Sequence, residues 1–171
     1  MERATAIAMV LVTCLSIATT ARALVDEQEI VTEGRTADAE RQALKLALRA
    51  LPLRPARIAV IDLTEAKPDV QATLRRLDAF VVSGSPVIYV VRQSRLLEGA
   101  LAGSSTHVLA LATVIWHEMA HADGADEGQA RRQEEALWSR FIRDQRVDPV
   151  VALRYLDALT RRPDHQQLAL R

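Results

Sequence analysis

Val108-Leu-Ala-Leu-Ala-Thr-Val-Ile-Trp116 runs without a break into His117-Glu118-Met119-Ala120-His121, with Gly124 and Glu127 just beyond. The first nine residues carry no charge and are apolar around the whole helical wheel. They predict a helix buried on most of its sides, around which the rest of the chain must pack. His117 and His121 lie four apart, on one face and about 6 Å along the axis, so their imidazoles can converge on one metal ion. Glu118 is rotated by about 100° from His117. It can therefore stand beside a water on that metal without being a ligand. Gly124 can take positive φ and turn the chain sharply after the helix. A second, charged helix follows over residues 126–143, on which Ala130, Glu134, Leu137, Trp138 and Phe141 share a side.

Upstream, Val87-Ile-Tyr-Val-Val91 is the strongest strand signal, and Arg57-Ile-Ala-Val-Ile-Asp-Leu63 is a second short β-branched run. Before it, Ala43, Leu44, Ala47, Leu48 and Leu51 recur at helical spacing, with Asp38 as a candidate cap and Pro52 and Pro55 as stops. Further helices are predicted over 70–80 and, after Asp148-Pro149, over 150–160. Ser83-Gly-Ser-Pro86 reads as a turn, and residues 92–103 as a crossing over the surface. Ser104, Ser105 or Thr106 can cap the long helix. The order is helix, strand, helix, strand, then three helices: an α+β fold with a short sheet, a buried central helix and C-terminal helices. A chain of 171 residues holds one such core and is short for two.

The first residues read as an address. Arg3 precedes an apolar stretch from Ala4 to Ala18, and Thr19-Thr-Ala-Arg-Ala23 ends in a small-x-small pattern. Residues 1–23 are expected to be a cleaved export signal, leaving a domain over 24–171 in the periplasm or outside the cell. If the segment is retained, it is a membrane anchor instead. The 22 Lys and Arg match the 22 Asp and Glu. That balance argues against a nucleic-acid partner, or a membrane partner beyond the signal. Cys14, the one cysteine, lies inside this segment. The mature chain is then left with neither disulfides nor thiolate ligands.

A catalytic zinc ordinarily takes three protein ligands. His107 precedes His117 by ten residues, about 15 Å along one helix, which makes it a helix-start residue rather than a ligand. His165 belongs to a polar tail. Asp123, Asp126, Glu127, Glu134 and Glu135 remain. Glu127, returned by the glycine turn, is the expected third ligand. Glu134, seven residues on and on the same face, is the alternative; otherwise its carboxylate orients a histidine from behind. Glu118 is the expected base, and Tyr155 on the last helix the candidate donor to an oxyanion, unless it is a half-buried core tyrosine.

His117-Glu118-x-x-His121 resembles the signature of the zincin metallopeptidases. Val114, Met119 and Ala120 suit the longer zincin pattern, whereas Asp123 stands where an apolar residue is usual. Gly124 has the metzincin spacing, yet Glu127 occupies the place of the metzincins' third histidine. No methionine follows Met119, so their Met-turn has no counterpart. A glutamate ligand is instead similar to the gluzincins, whose ligand helix Glu127-Gly-Gln-Ala130 resembles. The likeness covers residues 108–141. It implies zinc (Zn2+) as cofactor and hydrolysis of a peptide or protein substrate. It also implies an extended substrate paired along an edge strand above the helix. That role falls to Val87, Ile88, Tyr89, Val90 and Val91, unless they form an ordinary central strand. The competing expectation is an exported zinc-binding protein of the same fold with weak or no catalysis.

Overall fold

The structure, a computed structural model, describes residues 36–65 and 67–160. The export signal expected over 1–23, the polar stretch that follows it and His165 lie outside the described residues. Within them the order is α1 (Asp38–Arg49), β1 (Arg57–Ile61), α2 (Pro68–Leu74), β2 (Ala79–Val81), β3 (Val87–Val91), α3 (Arg95–Leu101), α4 (Ser105–Ala122), α5 (Glu127–Arg143) and α6 (Pro149–Thr160). The fold is α+β, as expected, with one three-stranded sheet among the described residues.

The long helix α4 is the centre of the packing. Leu109 to Ile115 are all buried, and α1, α3 and α5 pack around it. Its first turn is capped by Ser104, whose hydroxyl accepts from the His107 N–H. Such a cap is worth about 1 kcal/mol. Helix α5 buries Ala130, Glu134, Leu137, Trp138 and Phe141, the face that its periodicity predicts.

The sheet order is β1-β3-β2, with β1 parallel and β2 antiparallel to β3. One face, with Ile58, Val60, Ala79, Ile88 and Val90, joins the main core against the helices. Leu74 of α2 covers the other face, packing with Leu63, Phe80 and Val91, and the Phe80 and Tyr89 rings stack at 5.2 Å. This corrects the substrate-strand expectation for Val87, Ile88, Tyr89, Val90 and Val91. Both edges of β3 are already paired, so the strand offers no backbone to an added peptide. The reason is in its composition: an unbroken apolar run is what a strand buried on both faces requires, whereas an edge strand usually alternates.

Two further expectations change. The helix predicted over 70–80 stops at Leu74, and Ala79-Phe-Val81 pairs with β3 instead. Sheet pairing overrides the helical spacing there. The crossing over 92–103 contains helix α3, capped by Ser94, which accepts from the Leu97 N–H at 3.0 Å and buries Leu97 and Ala100. Gly99 of α3 is required by close approach. A Cβ at that position would lie 2.3 Å from the His107 ring.

Candidate metal centre

Helix α4 ends in a turn that builds the site. The Gly124 N–H donates to His121 O at 3.0 Å and the Ala125 N–H to Ala120 O at 2.9 Å, with Gly124 at φ +89°. These two bonds define a Schellman ending, which needs a residue in the left-handed region. Asp126 then caps α5, accepting the Gln129 N–H at 2.7 Å, while the Gln129 side chain accepts the Asp126 N–H. Glu127 is thereby the first residue of α5. The turn folds it back over the end of α4.

His117, His121 and Glu127 meet. The two Nε2 atoms lie 3.1 Å apart, and Glu127 Oε2 lies 3.2 Å from Nε2 of His121 and 3.7 Å from Nε2 of His117. His121 Nδ1 is 3.0 Å from the carbonyl oxygen of Ala125. A carbonyl only accepts, so Nδ1 must carry the proton, and the lone pair of a neutral ring is left on Nε2. His117 Nδ1 faces Glu134 Oε2 at 3.1 Å. The distance is that of a hydrogen bond, but the geometry does not complete one. Two nitrogen lone pairs and a carboxylate oxygen therefore converge on one point. Atoms bound to a common tetrahedral zinc at about 2.0–2.1 Å stand about 3.3 Å apart, and the three separations bracket that value. The residues fit a metal ion.

The groups around the cluster hold it in place. Glu127 Oε1 accepts from Arg131 Nε at 2.8 Å. Burial raises the Glu127 pKa, yet Arg131 and the two histidines outweigh it and hold the carboxyl below its ordinary value. For His117, burial disfavours the charged ring, but Glu134, with Glu118 and Glu127 nearby, more than offsets this and raises its pKa. Burial pushes Glu118 up to about 7. His117 and the Val81 N–H pull the other way, and Glu127 and Glu134 add to the rise. A cation at the cluster would reverse much of this, since it favours ionised carboxylates and neutral imidazoles.

Glu134 is the buried support rather than part of the three-atom group. It is 2% exposed, and Oε1 accepts from the Tyr155 hydroxyl at 3.0 Å. The expected oxyanion donor Tyr155 thus has its hydroxyl on Glu134 and 3.0 Å from Thr113 Oγ1, on the Nδ1 side of His117. His107 is a helix-start residue, with Nδ1 2.7 Å from Ser104 Oγ. Asp123 is exposed, and Asp126 serves as the cap.

A feature that the sequence did not signal is the link between Glu118 and β2. The Val91 N–H bonds to Asp78 O, and pairing alternates along an antiparallel ladder. Ala79 and Val81 therefore turn their N–H and C=O groups away from β3. The Val81 N–H stands near the Glu118 carboxyl and favours its ionised form. Among the described residues β1 and β2 are the two edges of the sheet, and α4 packs against β2.

The chain matches no protein-family model, no curated protein and no solved structure. Its residues and their geometry are therefore the ground for a functional reading.

Proposed function

We propose that the chain is a zinc-dependent metallopeptidase, with His117, His121 and Glu127 as metal ligands and Glu118 as general base. The observation that carries the reading is the convergence of two Nε2 atoms and one carboxylate oxygen, at separations suited to a tetrahedral ion. When bound, the ion supplies Lewis acidity, making water a nucleophile near neutral pH and polarising the carbonyl under attack. Glu118 follows His117 on α4 and is not one of the converging ligands. It takes the proton that the attacking water gives up and returns it to the departing amine. The Ala125 carbonyl keeps the His121 imidazole turned so that Nε2 faces the centre, and the Glu134 carboxylate, 3.1 Å from His117 Nδ1, favours the same tautomer there. Arg131 holds Glu127 by its second oxygen.

The zincin likeness of residues 117–121 asks for a strand that pairs with substrate, and β2 meets that need better than β3. Its outer edge offers the Ala79 N–H and C=O and the Val81 C=O to an extended peptide. No helix among the described residues is long and apolar enough to cross a membrane. Residues 1–23 support export to the periplasm or the outside.

The alternative, an exported zinc-binding protein with weak or no catalysis, draws support from one feature: the proposed base is buried beside β2, with the Val81 N–H near its carboxyl. Metal analysis combined with Glu118→Gln separates the two. One equivalent of zinc in both proteins, with peptide hydrolysis lost in the variant, supports the peptidase. Zinc bound by the wild type with no hydrolysis across a peptide library supports the binding protein. A wild type that takes up no zinc rejects both.

A further inference from the structure

Helix α6 is attached to the body through a narrow strip. Ala152 is fully buried, and its carbonyl accepts the Trp138 indole N–H at 3.1 Å. The Tyr155 ring lies 4.2 Å from that of Trp138. Leu156 also packs against the main core, whereas Val150, Val151 and Leu153 are exposed. A helix that leaves such an apolar side uncovered opens at a lower free energy than the core.

Into this strip runs a cluster of buried polar groups. The Tyr155 hydroxyl is 3.0 Å from both Glu134 Oε1 and Thr113 Oγ1, and Thr113 Oγ1 is also 2.8 Å from the Ala110 carbonyl. Each hydroxyl has one proton. A carboxylate has none to give, so the Tyr155 proton goes to Glu134. The Ala110 carbonyl only accepts and is the nearer partner of Thr113, so it takes or shares the Thr113 proton, while Thr113 Oγ1 stands beside the Tyr155 hydroxyl and fixes its place. The path to the site is Tyr155 to Glu134, and the other oxygen of Glu134 faces Nδ1 of His117. Glu134 is 2% exposed and Thr113 fully buried. Water therefore does not readily replace a missing partner.

We propose that Tyr155 is a positioning residue that couples the seating of α6 to metal affinity at His117, His121 and Glu127. It rests on the metal-site reading above. Tyr155 orients Glu134, whose carboxylate oxygen, 3.1 Å from His117 Nδ1, favours the proton on that nitrogen by its charge and so leaves the Nε2 lone pair toward the centre. The coupling is reciprocal: whatever factor α6 adds to metal affinity, the metal adds to the seating of α6.

The test uses the full chain. Zinc affinity is measured by competition with a chromophoric chelator for the wild type, Tyr155→Phe and Thr113→Val. Amide hydrogen exchange over residues 149–160 is followed with and without zinc. Tyr155→Phe keeps the ring against Trp138 and is expected to weaken zinc binding by about ten- to hundredfold. Thr113→Val is expected to act in the same direction by less. In the wild type, zinc should slow exchange in α6 more than in α2, which lies on the far face of the sheet; in Tyr155→Phe that slowing should vanish. Zinc affinity within twofold of wild type for Tyr155→Phe, or α6 exchange in the wild type that ignores zinc, overturns the coupling and leaves the metal site standing. A wild type that binds no zinc overturns both. The exchange measurement on the unaltered protein decides the matter even if Tyr155→Phe does not fold.

Discussion

Two imidazoles whose Nδ1 atoms both face oxygen must turn their Nε2 lone pairs toward each other. At 3.1 Å that arrangement is repulsive until a proton or a cation stands between them. The third member decides which carboxylate completes the group. Glu127 brings an oxygen to 3.2 Å from Nε2 of His121, whereas Glu134 meets His117 from the Nδ1 side. Glu127→Ala should therefore abolish tight zinc binding, while Glu134→Ala should weaken it by about ten- to hundredfold, as the loss of an orienting partner does. Chelator competition on the two variants measures the difference, and the reverse order would exchange their roles. The meeting of His117 and His121 was legible from spacing alone, because a helix converts a four-residue interval into a shared face. The choice between Glu127 and Glu134 was not, since both lie on one face of α5 and seven residues apart.

At the scale of the element, the turn between α4 and α5 does three things at once. It ends α4 with a Schellman pair, supplies the Ala125 carbonyl that fixes the His121 tautomer, and delivers Glu127 at the start of α5. A Cβ on Gly124 would meet nothing within 4 Å, so its φ of +89° alone selects glycine. Gly124→Ala should destabilise the fold by about 1–2 kcal/mol through left-handed strain. It should also weaken zinc binding, because relaxing the strain moves both Ala125 and Glu127. Thermal unfolding with and without zinc reads both effects. Gln145 ends α5 at φ +55°, with the Arg146 N–H bonded to Phe141 O at 2.9 Å. Gln145→Gly should raise stability by about 1 kcal/mol with no change at the metal centre. An unchanged or lower unfolding temperature would contradict it.

Across the whole molecule, one arginine ties the ends of the parallel strands to the first helix. Arg92, just after β3, reaches Glu40 of α1 through Nε at 2.7 Å and Nη2 at 3.3 Å, and Asp62 after β1 through Nη1 at 2.7 Å. The Thr64 hydroxyl and N–H, with Arg92 and Gln93, hold the Asp62 carboxyl well below the usual carboxylate range. A depressed carboxylate pKa contributes stability that is fully present above the unfolded value, about 3.9. It is lost as pH falls through the folded value. Asp62→Asn should thus be less stable than the wild type by about 1 kcal/mol at pH 7, the partial exposure of the pair keeping the figure small. The gap should narrow below about pH 4. Denaturant titrations of both proteins across that range check the sign. This network had no signature in the sequence, because Glu40, Asp62 and Arg92 stand on separate elements and read singly as solvated charges.

What the sequence determined by itself was whatever depends on local period: the buried helix α4, the histidine pair on it, the glycine turn, the buried face of α5 and the α+β class. Those come from the 3.6-residue and two-residue repeats of the backbone, which operate within a dozen residues. Tertiary structure alone decided that β3 is central and β2 an edge, that Ala79–Val81 is a strand, and that Tyr155 supports Glu134. Strand order and buried hydrogen-bond partners are set by which elements meet in space. Such contacts join residues as far apart as Thr113 and Tyr155, for which no repeat along the chain gives a signal.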